Sequence, residues 1–182
     1  DQISDRVWTE LAWSKDTVEW NRVEEGTPFI ECSDNELDYD YGCVYACATP
    51  VFLDNEVRIF YGASDWLHTS WRNGSLSLAT LRPDGFAGYE QADKNLTATI
   101  VSSVLSLKDC LIKVTVDVES DGWVLVKLFD DSKEQVSVSS LTNSCSNQIL
   151  FDSKVSDLET GYLEFEFENA RLYSFCLDYF DG

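Results

Sequence analysis

Four carboxylates alternate along one short polar stretch of the sequence and could supply oxygen ligands to a metal ion. They are Asp34, Glu36, Asp38 and Asp40, and calcium-binding loops place oxygen ligands at such alternate positions. The sixth position of the stretch is Tyr39, where an EF-hand loop needs glycine, and the twelfth position is not glutamate. We therefore expect an acidic surface loop here, and the sequence predicts no metal site.

The other carboxylates form no catalytic pattern. Glu164, Glu166 and Glu168 alternate with apolar residues, which is typical of a strand with one solvated face and one core face. Glycoside hydrolysis needs two carboxylates about 5–9.5 Å apart, and none of the 33 acidic residues lies in a motif that marks it as catalytic. A G-x-S-x-G nucleophile elbow and a glycine-rich phosphate loop are also absent. The sequence therefore predicts a protein that is not an enzyme.

The single histidine lies close to two tryptophans in the stretch Trp66, His68 and Trp71. An aromatic ring that stacks on a sugar, together with one polar contact, is the minimum that a saccharide site needs. These three residues are the candidate ligand-binding residues, with a structural or surface role for His68 as the alternative. The six tryptophans of the chain could fill a core or line an exposed apolar surface.

An even number of cysteines predicts disulfides, and with them an oxidising compartment. We expect Cys110 to pair with Cys176, and Cys32 with Cys43 or Cys47. The six cysteines are Cys32, Cys43, Cys47, Cys110, Cys145 and Cys176.

Two sequons predict N-glycosylation, at Asn73 and at Asn95. Together with the cysteines they predict a secreted, extracellular protein. No apolar run approaches ~18 residues, so neither a transmembrane helix nor a signal peptide is expected. The sequence starts at Asp1 and has no methionine, as expected of a processed mature chain.

The charge of the chain excludes several classes of partner. Acidic residues outnumber basic ones by 33 to 13, which gives a formal net charge of −20. Nucleic-acid binding needs a basic patch that replaces phosphate counterions, and an acidic surface is repelled by anionic lipid. A hydrophobic content of 44% is too high for a disordered acidic chain. The sequence predicts a folded protein whose partners are neither nucleic acids nor membranes.

Short apolar runs separated by Asp, Asn, Ser and Gly predict an all-β fold. A polar cluster at 93–95 marks a boundary, so the predicted domains are 1–95 and 98–182, the second an antiparallel β-sandwich. In the first domain we expect hairpins at 7–13 and 18–23, then strands near 43–53, 56–62, 75–82 and 86–90. In the second we expect strands at 100–107, 111–118, 123–129, 135–139, 148–152, 162–168 and 172–177, with a turn at Asp121-Gly122.

The segments LAWSKDTVEWNRV, VYACATPVFLDNEVRIFYGASD and GSLSLATLRPDGFAGYEQ resemble the last blades of five-bladed β-propellers related to glycoside hydrolase families 32 and 43. The closing stretch YLEFEFENARLYSFCLDYF resembles the β-sandwich that trails such propellers. The resemblance implies a propeller-blade-like segment over 1–95. It also implies that the catalytic carboxylates, which such propellers carry largely in earlier blades, are missing from this sequence.

The size, acidity and sequons of the chain are similar to those of the acidic, multi-subunit, carotenoid-binding perivitellins of gastropod eggs. An incomplete propeller has open strand edges and uncovered apolar faces, which another chain must bury. We therefore expect a secreted, glycosylated, oligomeric, non-enzymatic protein that binds a hydrophobic ligand such as a carotenoid, with a storage or protective role. Its partners would be copies of itself or homologous subunits. The alternative is a carbohydrate-binding or residual glycosidase module, one chain of a processed propeller enzyme.

Overall fold

The computed structural model describes residues 5–69, 71–151 and 157–180, and β-strands dominate it. No α-helix occurs in these ranges, which confirms the prediction of an all-β fold. The chain divides into two compact units between Phe86 and Ala87, earlier than the polar cluster at 93–95. The strands of the first unit are β1 Ala12–Trp13, β2 Asn21–Arg22, β3 Cys43–Ala46, β4 Val51–Phe52, β5 Val57–Ser64 and β6 Gly74–Leu81. Those of the second unit are β7 Ala98–Val101, β8 Leu105–Ser106, β9 Cys110–Asp130, β10 Gln135–Leu141, β11 Cys145–Ile149 and β12 Thr160–Tyr179.

Strand β5 is the centre of the first unit. β3 and β4 pair with successive parts of one edge of β5, and β6 pairs with the whole of the other edge, all antiparallel. The segment before β1 adds a parallel bridge from Val7 to Cys43 on the outer side of β3. β1 and β2 form a separate two-stranded sheet. The central sheet is therefore a three-stranded meander in sequence order, in which β3 and β4 together occupy one strand position.

The core of the first unit lies against one face of this sheet. The predicted alternation in β5 is present, since Val57, Ile59 and Tyr61 are buried while Arg58 and Phe60 are exposed. Side chains on one face of a strand recur at every second residue. The buried set packs with Val44 and with residues outside the sheet, namely Ile30, Cys32, Phe29 and Phe86.

Two long strands form the centre of the second unit. β9 has 21 residues and β12 has 20, and they pair with each other over most of their length. β10 and β11 pair with opposite halves of β9, while β7 and β8 pair with the first half of β12. The unit is therefore a long antiparallel ribbon with shorter strands added along both edges.

The ribbon bends so that its two halves face each other. The rings of Phe165 and Phe175 have centroids 5.6 Å apart, whereas a straight strand would separate these residues by about 33 Å. The bend coincides with a register shift between Glu168 and Ala170, where Asn169 has a φ of 45°. Such bulges bend a strand and increase its twist. The core of the unit is enclosed between the two halves, with Phe165 among its fully buried side chains.

Several strand predictions are wrong. Asp121-Gly122 is not a turn but part of β9, and 162–168 and 172–177 belong to one strand, β12. A Cβ on Gly122 would lie 2.1 Å from the carbonyl oxygen of Asn169, so the glycine serves close strand approach at the bulge. The stretch 86–90 forms only an isolated bridge at Tyr89, and the two N-terminal hairpins are replaced by the pairing of β1 with β2. Asp1 and residue 152 of the predicted strand 148–152 lie outside the described residues.

Candidate functional site

The loop 65–73 carries all three candidate ligand-binding residues and joins β5 to β6. Asp65 closes the loop, because its carboxylate accepts hydrogen bonds from the backbone N–H of Asn73 at 2.8 Å and from Asn73 Nδ2 at 2.7 Å. Ser64 donates to the carbonyl of Trp66 at 3.0 Å. A Cβ on Gly42 would lie 1.8 Å from that same carbonyl oxygen. The start of the loop therefore rests directly on the glycine backbone before β3.

Trp66 is part of a packed aromatic cluster. It is half-buried, and its ring centroid lies 5.9 Å from that of Tyr41. The guanidinium carbon of Arg6 lies 4.7 Å from the centroid of the same tyrosine, which is a cation–π distance. One side of the Trp66 ring is therefore covered by protein.

His68 and Trp71 have different surroundings. His68 is exposed, its ring centroid lies 6.4 Å from that of Tyr45, and its backbone N–H donates to Asp5 at 3.2 Å. Trp71 is 90% exposed. The structure thus brings Trp66 and His68 against two different tyrosines and leaves the Trp71 ring in solvent.

Asp5 ties the loop to the N-terminal segment. Its carboxylate accepts hydrogen bonds from the backbone N–H of Thr69 at 2.9 Å and from Thr69 Oγ1 at 2.5 Å. These bonds lower the pKa of Asp5 by favouring the charged form, with smaller contributions from His68 and Arg72. The polar groups around His68 are thus engaged in holding the loop.

The outer face of the central sheet is mostly apolar, although Arg58 and Thr80 also lie on it. Uncovered apolar faces were expected from the sequence, but the residues that form this one were not identified. Because directly opposed residues share a face, the registers bring five exposed side chains together across β3, β4, β5 and β6. Leu76 is 80% exposed and Phe60 is 40% exposed. The signal in the sequence is Phe60 on the otherwise polar side of β5, followed by two leucines at alternate positions of β6. We call this surface the apolar sheet face; its members are Tyr45, Val51, Phe60, Leu76 and Leu78.

Described residues of the first unit line at least two surface hollows. One, of about 470 Å³, lies at the β4–β5 hairpin, where Phe52 and Leu53 combine apolar lining with a polar rim of Asp54, Asn55 and Glu56. The other, of about 200 Å³, is lined by Arg6, Trp8, Gly26, Pro28, Glu31, Cys32 and Asp34. The first hollow is wide open to solvent, unlike the concave pockets that enclose most small ligands.

The structure does not contain the predicted disulfides, since none of the six cysteines, all in described ranges, is in a disulfide. Cys110 is opposite Tyr179 while Cys176 is opposite Lys113, so the two cysteines are offset by about 10 Å along the ribbon, beyond the disulfide limit of ~7 Å. Cys32 donates instead to the carbonyl of Val7 at 3.3 Å. Burial raises the pKa of both Cys32 and Cys110, which keeps them as thiols.

The thiols of three other cysteines also lie near backbone carbonyls. The Sγ atom of Cys43 lies 3.9 Å from the carbonyl oxygen of Trp66, that of Cys47 lies 3.2 Å from Thr49, and that of Cys145 lies 3.9 Å from Val114.

The acidic stretches do not gather into a metal site. Asp38 accepts hydrogen bonds from Ser33 Oγ at 2.5 Å and from Asn35 Nδ2 at 3.1 Å, which lower its pKa. Asp40 accepts one from the Tyr61 hydroxyl at 3.3 Å. Across the described ranges no group of three or more His, Cys, Asp or Glu side chains could hold a metal ion.

The carboxylates of β12 are occupied by other partners. Lys127 Nζ lies 2.9 Å from Glu164 and 2.7 Å from Glu166, and Glu168 accepts a hydrogen bond from Thr97 at 2.5 Å.

The fold and the candidate site define an all-β protein with an exposed apolar sheet face and an aromatic loop beside it. No protein-family model matches the sequence, and neither the curated proteins nor the solved structures give a match. The described part of the chain also contains no helix that is long and apolar enough to span a membrane. The two resemblances drawn from sequence motifs therefore stay predictions.

Proposed function

We propose that this protein is a secreted, acidic, glycosylated, oligomeric and non-enzymatic protein that binds a hydrophobic ligand and stores or protects it. The observation that carries the proposal is the apolar sheet face. Monomeric soluble proteins expose few contiguous apolar patches beyond a few hundred Å², and such patches commonly serve in binding. Phe60 lies on the central strand β5 and Leu76 lies on the neighbouring strand β6. A flat, elongated apolar molecule such as a carotenoid fits a surface of this kind.

The architecture proposed with this function has two parts. The meander of β3 and β4, β5 and β6 supports the reading of the first unit as propeller-blade-like. The facing halves of the β9–β12 ribbon support the reading of the second unit as a β-sandwich, because the Phe165–Phe175 contact joins its two layers. Without earlier blades, the first unit would have its outer sheet face uncovered, which agrees with a binding role.

The extracellular part of the proposal depends on the two sequons. Asn73 and Asn95 are both exposed, so a glycan could be attached at either amide without displacing the core. Asn95 Nδ2 donates to Asp93 at 3.0 Å and retains a second N–H. The cysteines add no support, because no disulfide is present in the structure.

The test is organic extraction of the native protein, followed by absorption spectroscopy and mass spectrometry of the extract. We expect one hydrophobic compound in a fixed ratio to the chain. The extracted protein is then reconstituted with that compound. The affinity of Phe60→Ser for the compound should be about tenfold lower than that of the native protein, because burial of a phenyl ring contributes about 1.5–3 kcal/mol. The control is Phe180→Ser, since Phe180 is 56% exposed and lies outside the apolar sheet face. An extract without any such compound would contradict the proposal.

A second candidate function is saccharide binding at the loop 65–73, and the 90% exposure of Trp71 favours it. An exposed indole ring offers a stacking surface to a sugar. A glycan array with the native protein tests it directly. If an oligosaccharide binds and Trp71→Ala abolishes binding, while Trp20→Ala at the 61% exposed Trp20 does not, the carbohydrate-binding function replaces ligand storage.

A further inference from the structure

Strand β6 has one edge without a neighbour. It pairs with β5 over eight consecutive residue pairs, and no other strand or loop of the described chain pairs with it. In an antiparallel edge strand, alternate residues direct both their N–H and their C=O away from the sheet. β6 therefore presents a row of backbone donors and acceptors that a further strand could use.

The sequence of β6 lacks the features by which proteins protect an exposed edge. Such edges are usually short, bulged, or marked by charged residues or proline. Gly74–Leu81 contains neither charge nor proline, and its register with β5 is unbroken. The edge strands of the second unit differ, because β7 has four residues and β8 has two, while β10 and β11 carry register shifts.

We propose that β6 pairs edge to edge with β6 of a second copy of this chain, antiparallel and about a two-fold axis through Ser77. This inference rests on the oligomeric part of the proposed function and names its interface. Two chains of net charge −20 repel each other least where the contact carries no charge, and β6 is such a segment. A closed two-fold contact uses the same surface on both copies.

The alternation of β6 fits this symmetry. An axis at Ser77 places Leu76 opposite Leu78 of the partner subunit, and Leu78 opposite Leu76 of the partner subunit. Opposed residues of an antiparallel pair share a face and are about 5 Å apart, so both leucine pairs lie on the apolar sheet face. On the other face Ser75 meets Ala79 of the partner subunit. Every cross-strand pair is uncharged.

The pairing would join two apolar sheet faces into one surface in the order β5, β6, β6, β5. Strands in a sheet are about 4.8 Å apart, so the joined surface would be twice as wide as that of one copy. An elongated hydrophobic ligand would then contact both copies. This assigns to the dimer a ligand surface that one chain supplies only in part.

Crosslinking tests the register. In a chain carrying Cys47→Ser and Cys176→Ser, Ser77→Cys is treated with a diazene oxidant, which takes up two electrons and two protons as two thiols become one disulfide. We expect a disulfide-linked dimer, because residues 77 of the two copies lie about 5 Å apart. The matched control is Ser75→Cys, the same residue type on the same face, for which the two copies are about 13 Å apart along the strands. Equal crosslinking at both positions, or none at 77, would overturn the register.

Light scattering and sedimentation test the interface itself. Leu76→Lys places a charge on β6 at a side chain that is 80% exposed, so the fold should tolerate it. We expect the dimer dissociation constant to rise at least tenfold, with no change for Leu96→Lys at another exposed leucine. A monomeric native protein at micromolar concentration, or an oligomer unchanged by Leu76→Lys, rejects the inference. If the oligomer is unchanged by Leu76→Lys, the protein is still oligomeric as proposed, but the copies associate through another interface. A dimer that follows these expectations but yields no hydrophobic compound on extraction rejects the proposed function and keeps the inference.

Discussion

At the scale of single residues, carboxylates of this acidic chain hold neighbouring groups in place through ion pairs and hydrogen bonds. Lys127 on β9 lies between Glu164 and Glu166 of β12, and its side chain is 19% exposed. The hydrogen bonds to Glu166 and Glu164 raise the pKa of Lys127, because both carboxylates favour its charged form. Lys127 thus offsets the repulsion between Glu164 and Glu166, which are neighbours on one face of β12.

Replacing Lys127 with glutamine should lower the thermal stability at neutral pH more than Lys108→Gln does. Lys108 pairs with a single carboxylate, that of Glu159. Both side chains are more than half exposed, so solvent screens that pair. The contribution of a lysine whose folded-state pKa is raised is fully present below its ordinary value of ~10.4. It is lost as the pH rises through the raised value.

Melting temperatures of the native protein and Lys127→Gln between about pH 7 and pH 12 check this. The difference between the two proteins should be largest below ~10.4 and shrink above it. A difference that stays constant to the highest pH would show that Lys127 acts through packing alone.

Gly42 is the residue on which the aromatic loop depends. Gly42→Ala should destabilise the protein by about 1–3 kcal/mol, because the added Cβ meets a backbone carbonyl of Trp66 that cannot rotate away. Gly62→Ala in the same unit is the matched control, since a Cβ on Gly62 would have no other atom within 4 Å. Urea unfolding curves measure both. Equal effects of the two substitutions would contradict the close contact between Gly42 and Trp66.

The sequence identifies the residues of this loop but not their arrangement. Trp66, His68 and Trp71 are neighbours along the chain, and a saccharide site was predicted from that proximity. In a loop, neighbours in sequence need not share a face, and here Trp66 contacts Tyr41 while His68 contacts Tyr45. The tyrosines that decide these positions lie on the approach to β3 and within it, so only the tertiary fold brings them to the loop.

At the scale of elements, the bent β9–β12 ribbon organises the second unit. Alternation of apolar and polar residues in Tyr162–Glu168 is correctly predicted, since Leu163, Phe165 and Phe167 are fully buried. The turn at Asp121-Gly122 is wrongly predicted, although Asp-Gly is a strong hairpin signal. The glycine is required instead by Asn169 on the opposite strand, a partner far away in sequence. Local patterns thus predict faces well and predict strand ends poorly.

Phe165→Ala should cost about 3–5 kcal/mol of the free energy of unfolding, because it empties a fully buried position that also contacts Phe175 across the bend. Phe180→Ala should change it by less than about 0.5 kcal/mol, since that ring is 56% exposed. Chemical denaturation followed by circular dichroism measures both values. If Phe165→Ala cost no more than Phe180→Ala, the two halves of the ribbon would not enclose a common core.

At the scale of the whole molecule, two apolar cores are each enclosed by their own unit, while the acidic charge is spread over both. Composition predicts a folded chain with a strongly acidic charge, and the pattern of short apolar runs correctly predicts the all-β fold. Neither predicts which apolar residues remain outside. Leu76 and Phe60 look like core residues by type, and only the pairing of β5 with β6 shows that they share the outer face.

Association of the chain should strengthen with added salt. Raising the ionic strength from about 20 mM to about 300 mM shortens the screening length from roughly 20 Å to roughly 6 Å. This weakens repulsion between two copies of net charge −20 and leaves apolar contacts and backbone pairing in place. Sedimentation velocity across this range should show a rising dimer fraction. A fraction that falls with salt would indicate an interface built on ion pairs.

The position of β12 in the chain also sets the order in which the second unit can be made. β12 is the partner of β7, β8 and β9, and it leaves the ribosome after all three of them. Until Thr160–Tyr179 has been synthesised, β7 and β8 lack this partner and β9 cannot form the ribbon. Pairings this distant in sequence form slowly. The nascent second unit must therefore wait with its apolar strands uncovered, the stage at which a chaperone would have most to protect.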